Sequence, residues 1–326
     1  MAAHPAPRHA AAAPPRPPDL PAPAGLPARF ALLRLLGQGS AGMVFLAWDR
    51  QTDSSVALKL VQPLPEPARF VAEARSARSL QHPDIVAVLD AGQAPDLGWL
   101  AMELVPGVPL QRYTQPALLL PEALALQAAA RVAGALAHAH GQGVVHRDVK
   151  PANVLVHWPS GVCKLGDFGL ARQADSETTR TGLVMGSPAY MAPELLAGAA
   201  PSPASDLYAL GVSLFELVTA RLPFHSSKLG ELLRQVAQAP APALHSLRPD
   251  LPADWALAAD RLLARLLAKR AADRPATAAE VAPQLHALAA AAARFAGAAH
   301  ACQPPACAAA PAPAAPPHRD GDAPPG

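Results

Sequence analysis

Val145-His146-Arg147-Asp148-Val149-Lys150-Pro151-Ala152-Asn153-Val154-Leu155, followed by Asp167-Phe168-Gly169, is the stretch on which the reading of this chain turns. An apolar lead-in, Gly143-Val144-Val145, delivers a loop that holds a carboxylate, a lysine and a carboxamide within six residues. A second carboxylate, Asp167, arrives later in front of an aromatic residue and a glycine. A polar loop between two apolar strands would account for any one of these residues. It would not account for all of them in this order. Carboxylate and carboxamide oxygens are hard donors suited to a divalent cation, and a carboxylate is also a proton acceptor.

Toward the N-terminus, Phe30-Ala31-Leu32-Leu33-Arg34-Leu35-Leu36 reads as a strand that runs into Gly37-Gln38-Gly39-Ser40-Ala41-Gly42-Met43-Val44. Glycine lets backbone N–H groups approach phosphate oxygens closely. Dinucleotide-binding turns share the G-x-G-x-x-G spacing, but there the third glycine opens a helix. Here Val44, Phe45 and Leu46 follow, so the pattern predicts strand, glycine turn, strand. Ser55 to Val61 places Lys59 in an apolar strand, where a lysine ordinarily snorkels to solvent. Phe70, Ala74, Ala77 and Leu80 form a helical stripe with Glu73 adjoining it, so Glu73 could point inward. His82-Pro83 closes that helix, and Trp99 to Val105 reads as an apolar strand ending in Pro106-Gly107. Pro121 to Gln142 predicts a long helix with Leu124, Ala128, Val132, Ala135, Leu136 and Ala139 on one face. His138 and His140, two apart, face different sides of it, so no metal site is expected there.

These motifs, in this order over residues 30 to 290, resemble the protein kinase family. The loop matches H-R-D-x-K-x-x-N, the segment after it D-F-G, and the ending Gly186-Ser187-Pro188-Ala189-Tyr190-Met191-Ala192-Pro193-Glu194 the A-P-E motif. The resemblance implies an α+β fold of two lobes: a small antiparallel β-sheet with one main helix (residues 29–104), and a larger, mostly helical lobe (107–290). It implies a catalytic set of Asp148, Lys150, Asn153, Lys59 and Glu73, with Asp148 accepting the hydroxyl proton and Lys59 paired with Glu73. Asn153 and Asp167 would hold Mg²⁺, with Mn²⁺ as a substitute. ATP would lie against Leu36, Gly37, Gln38, Gly39, Ser40, Ala41, Gly42, Met43, Val44, Ala57, Lys59, Met102, Glu103, Val105 and Asp167. Lys150 in R-D-x-K-P-x-N implies Ser/Thr hydroxyls of proteins as acceptors, since tyrosine kinases usually lack a lysine there. A phosphate on Thr178, Thr179 or Thr181, with Thr181 favoured, would pair with Arg147, and Ser187 would line the acceptor-binding turn. Self-association for autophosphorylation in trans fits that logic. Asp206 would hold the backbone of the catalytic loop, and Arg274 would pair with Glu194. One departure stands at Lys269-Arg270-Ala271-Ala272-Asp273-Arg274-Pro275, where relatives commonly carry Asp-Pro.

Composition constrains the remainder. The apolar fraction of 51% is inflated by alanine and aromatics are only 4%, so the core must be built from Leu, Val and Ala. A net charge of +2 gives no case for nucleic acid or a charged membrane surface. Prolines interrupt the N-terminal run, and the alanine run at 287–293 is short of the ~20 residues a bilayer requires. A cytoplasmic location without a membrane span is expected. Residues 1–28 and 291–326, rich in Ala and Pro, read as disordered arms. Cys163 reads as a small buried hydrophobe, and Cys302 and Cys307, with His300 nearby, as free thiols in the tail, a metal clip or redox pair being the alternative. The rivals to an active serine/threonine kinase are an ATP-binding pseudokinase scaffold and a small-molecule phosphotransferase. No catalytic position is missing, which counts against the first, and the A-P-E ending counts against the second.

Overall fold

A computed structural model describes residues 20–39, 42–64, 66–168 and 188–299. The glycine-turn residues Ser40 and Ala41, Gly169, the threonines at 178, 179 and 181, Ser187, Cys302 and Cys307 lie outside the described residues.

The first lobe is a five-stranded antiparallel sheet in the order β1-β2-β3-β5-β4. Its strands are β1 (Phe30–Gly39), β2 (Gly42–Asp49), β3 (Ser54–Val61), β4 (Val88–Ala94) and β5 (Leu97–Glu103), with α1 (Pro67–Ser79) between β3 and β4. The period of two along each strand sorts the side chains onto two faces. Val56, Leu58 and Leu60 join Phe30, Leu32, Trp99 and Ala101 in one core. Leu100 and Met102 turn the other way and pack with Phe70 and Ala74 of α1. Gly98 makes that docking possible, because a Cβ there would lie 2.8 Å from the Phe70 ring. Gly42, which opens β2, has φ of +119°, and a Cβ on it would stand 2.1 Å from the Leu60 carbonyl oxygen. No other residue fits that turn without moving β3.

The second lobe begins with β6 (Val108–Pro109) and α2 (Glu122–Gly141), then β7 (Val154–His157) and β8 (Val162–Leu165), which form a three-stranded sheet β6-β7-β8. α3 (Pro193–Leu196), α4 (Pro203–Thr219), α5 (Leu229–Gln238), α6 (Leu244–Leu247), α7 (Ala253–Leu266) and α8 (Ala278–Ala299) follow. α4 is the centre of the lobe. Every residue from Ser205 to Thr219 except Glu216 is buried, as expected of a helix apolar on all sides. Its start is fixed by a capping box between Ser202 and Ser205, with Pro203 in the first turn. Alanines on α2 (Ala125, Ala128, Ala129, Ala133, Ala135) leave room for neighbouring helices to approach closely. Cys163 is 2% exposed in this core, and burial pushes its thiol up to about 12.

Two expected boundaries move. The last helix runs past residue 290 to Ala299. The alanine run is a strong helix former, and Ala289 and Ala292 are buried in the main core while Phe295 meets Trp255 edge-on. At the other end, Leu20 N–H bonds the Leu32 carbonyl at 2.6 Å and Leu26 packs on the first core, so ordered chain precedes residue 29.

Candidate active site

The loop after α2 is held from beneath by one carboxylate. Asp206 of α4, 1% exposed, accepts the backbone N–H of His146 and of Arg147, each at 2.8 Å, and faces His140 Nε2 at 2.8 Å. His146 is fully buried with its ring against Phe168. Its Nδ1 accepts the Asp148 N–H at 3.2 Å, which leaves Nε2 to donate to the Gly166 carbonyl at 2.8 Å. The loop is thereby tied to the chain that carries Asp167. Arg147 sits at φ +73° and Asp167 at +62°, a region unfavourable for residues with a Cβ, and held here by those surrounding bonds.

On this frame the three loop residues converge. Lys150 Nζ lies 2.8 Å from Asp148 Oδ2. Asn153 Nδ2 donates to the Asp148 carbonyl at 2.8 Å and to its Oδ2 at 2.9 Å. Because the amide spends its nitrogen on Asp148, its oxygen remains as a hard donor. Asp167 likewise spends Oδ1 on Lys59, at 2.9 Å. Burial pushes the Asp167 carboxyl up, but the Lys59 ammonium outweighs it, helped by His146 and Lys150, and the group titrates below the usual carboxylate range.

The expected pair of Lys59 with Glu73 is not made. Lys59, with a side chain 3% exposed, is taken by Asp167. Glu73 instead receives Arg147 Nη1 at 2.7 Å and Arg69 Nε at 3.1 Å. Glu73 Oε2 and Arg147 Nε are buried without a partner among the described residues. α1 therefore aims its carboxylate at Arg147 of the loop, with Arg69 of the same helix as its second partner, and not at Lys59 of β3.

Above the loop is an apolar slot. Val44, Ala57, Val105 and Leu155 pack on the cluster that contains Met102. Leu36 is exposed, and a Cβ on Gly37 or Gly39 would meet nothing within 4 Å among the described residues. Behind the slot Met102, Val88, Leu100, Asp167 and Phe168 enclose a cavity of about 10 Å³. Leu155, the floor of the slot, was not among the expected contacts, although its place two residues beyond Asn153 marks it. On the acceptor side, Tyr190 donates to Glu216 of α4, and burial pushes both groups up. Glu194 receives the Arg274 guanidinium through two bonds of 2.7 Å.

A divided fold with a carboxylate loop facing a lysine-bearing sheet across an apolar slot is the architecture of a phosphotransferase domain. Residues 30–285 match the family described as "Protein kinase domain", and the chain belongs to that family. Bacterial serine/threonine kinases are among its relatives. It is 39% identical over 266 residues to Serine/threonine-protein kinase pkn3 of Myxococcus xanthus, covering 77% of this chain and 48% of that one. It is 40% identical over 259 residues to the DNA damage-responsive serine/threonine-protein kinase RqkA of Deinococcus radiodurans (77% and 38%), and 37% over 230 residues to PrkC of Bacillus subtilis (69% and 35%). The chain thus spans about a third to a half of the length of these relatives. The crystal structure of Rad53 1-466 in complex with AMP-PNP shares the fold, with a TM-score of 0.67 at 24% identity over 79% of this chain and 65% of that one.

Proposed function

We propose that this chain transfers the γ-phosphoryl group of ATP to serine and threonine hydroxyls of proteins. The observation that carries the reading is the convergence of Asp148, Lys150 and Asn153 on one loop, facing Lys59 and Asp167. In the step, the acceptor oxygen forms a bond to the γ-phosphorus and the bridging P–O bond breaks, releasing ADP. Asp148 takes the hydroxyl proton, and Lys150, beside it, offsets charge on the transferred group. The slot from Val44 and Ala57 to Leu155 receives the adenine. Backbone groups of Glu103 and Val105 meet its edge, and the glycine turn covers the phosphates. The free oxygens of Asn153 and Asp167 suit a hard divalent cation, Mg²⁺ or Mn²⁺. That ion would supply charge neutralisation at the phosphates.

Arg147 has two claimants in this reading. It holds Glu73 in the structure, and a phosphate on Thr178, Thr179 or Thr181 would compete for it. Releasing Glu73 to Lys59 then switches the site on, and self-association would allow one copy to phosphorylate another. No helix among the described residues is long and apolar enough to cross a membrane. The reading of ATP as the phosphoryl donor favours a reaction in the cytoplasm, where ATP is supplied.

The test is transfer of labelled phosphate from ATP with Mg²⁺, comparing the chain with Asp148→Asn and locating the label by mass spectrometry. Transfer should fall by about 1,000-fold with ATP binding intact, and label on Thr179 or Thr181 should vanish. ATP binding with no transfer by the unaltered chain to itself or to a basic protein would favour the scaffold.

A further inference from the structure

Glu103 and Lys164 form an ion pair between the end of β5 and β8. Glu103 ends β5, where the chain leaves the first lobe. Lys164 lies on β8, directly opposite Leu155 in the antiparallel register. Side chains directly opposite in such a pair emerge on the same face, so Lys164 stands beside the leucine that floors the slot. Its Nζ reaches Glu103 Oε1 at 2.6 Å and the Ile85 carbonyl at 3.4 Å. The same carboxylate oxygen accepts the Ala87 N–H at 2.8 Å, while Glu103 N–H donates to the Ala87 carbonyl at 3.0 Å. One oxygen therefore joins three segments: the end of β5, residues 85–87 and β8. The pair is the one hydrogen bond or ion pair among the described residues that links β5 to β8. Lys164 also lies three residues before Asp167 on the same run of chain, and Val86 N–H bonds the Leu165 carbonyl at 2.9 Å alongside.

An exposed ion pair between mobile side chains has almost no measurable effect. This one differs in two respects. Its side chains are only 19% and 30% exposed, and both ends are planted in strands of different lobes, so little side-chain entropy is left to lose. We propose that Lys164 is a positioning residue for the nucleotide: through Glu103 it fixes the separation between the floor at Leu155 and the backbone that meets the adenine edge. The proposal rests on the nucleotide reading of the slot. It predicts an effect on ground-state binding of ATP and not on the chemistry at Asp148, because the pair touches neither the phosphates nor the acceptor.

The experiment is steady-state kinetics with ATP varied, together with calorimetric ATP affinity and melting temperature, on the full chain. Lys164→Met should raise KM and Kd for ATP about fivefold, near 1 kcal/mol, with kcat within twofold. Lys164→Arg, which keeps the charge, should restore the wild-type KM. Unchanged KM and Kd in Lys164→Met, or a fall in kcat at constant KM, would overturn the inference. So would a Lys164→Arg as impaired as Lys164→Met. If the wild-type chain fails to bind ATP at all, the nucleotide reading itself falls; if it binds and transfers normally while Lys164→Met behaves the same, the positioning role alone falls.

Discussion

Two ion-pair systems flank the catalytic loop, and they are built to different standards. Below it, Arg274 has a side chain with no exposed surface and every nitrogen placed: two bonds to Glu194, one to the Ala204 carbonyl at 2.9 Å and one from Nε to the Ala268 carbonyl at 3.0 Å. Its plane also lies over Tyr208. Asp206 next to it is equally committed. Above the loop, Lys59 is paired with Asp167 and Arg147 with Glu73, and two buried polar atoms of the set have no partner among the described residues. Asp206 belongs to α4, buried almost all round, and Arg274 packs against the first turns of that helix. Glu73 rides on a single helix that buries only Phe70, Ala74 and Ala77. A fully committed pair acts as scaffold, and a quartet with two unpartnered atoms is suited to the re-pairing proposed above.

The sharpest test of that contrast is Arg274→Met. Removing one partner of a buried pair leaves the other charge uncompensated and costs about 3–5 kcal/mol, so the melting temperature should drop steeply. Glu194 gives the sign of the pH dependence. Burial pushes its carboxyl up, but the Arg274 bonds outweigh this and hold it below its ordinary value. Its folded pKa is depressed, so its contribution is complete above the ordinary carboxylate range and lost as pH falls below it. The variant should lose that slope. Equal melting curves for wild type and Arg274→Met would show that the lower system is no scaffold.

Glu73→Gln should do the reverse. Misplacing Lys59 by an ångström or so is enough to cost about 100-fold in rate, while the melting temperature should move little, within about 1 kcal/mol of stability, as for a partly exposed pair. Phosphate transfer and thermal denaturation on the same preparation would show the split. An unchanged rate would mean that the re-pairing of Glu73 has no part in activity. A stability loss as large as that of Arg274→Met would mean that α1 is held as firmly as α4.

The same contrast explains what the sequence disclosed. His146 to Asn153 is a single loop, so its spacing already encodes which groups meet, and Asp148, Lys150 and Asn153 do meet. Asp206 and the Glu194–Arg274 pair were legible because each has one partner that the fold forces on it. The partner of Glu73 was not, since it depends on distances among four charges brought from β3, α1, the loop and residue 167. Lys164 carries no motif signal in the sequence, and its register with Leu155 shows which face of β8 it is on. His140 has no spacing signal for its bond to Asp206. The length of α8 was hidden by a run of alanines whose burial against α2 only the packing reveals.

The smallest effect is expected from Lys269, the one cation of the lower system whose surroundings pull in opposite directions. Its Nζ lies 2.7 Å from the Val236 carbonyl, near the C-terminus of α5, and 3.9 Å from the centre of the Phe224 ring, contacts that favour the charged form. Burial and the neighbouring Arg274 disfavour it, and its pKa is lowered to about 8 from the ordinary lysine value of 10.5. Between those two values the unfolded chain carries a proton that the folded chain has released, so stability should rise with pH across the window. Because the group is half-exposed, solvent screening keeps the effect small. Melting temperatures of wild type and Lys269→Met, measured from pH 7.5 to 10, should therefore diverge in favour of the wild type as pH increases. A constant difference would mean that the carbonyl and the ring compensate fully for burial, and Lys269 would then belong with Arg274 as a fully satisfied part of the scaffold.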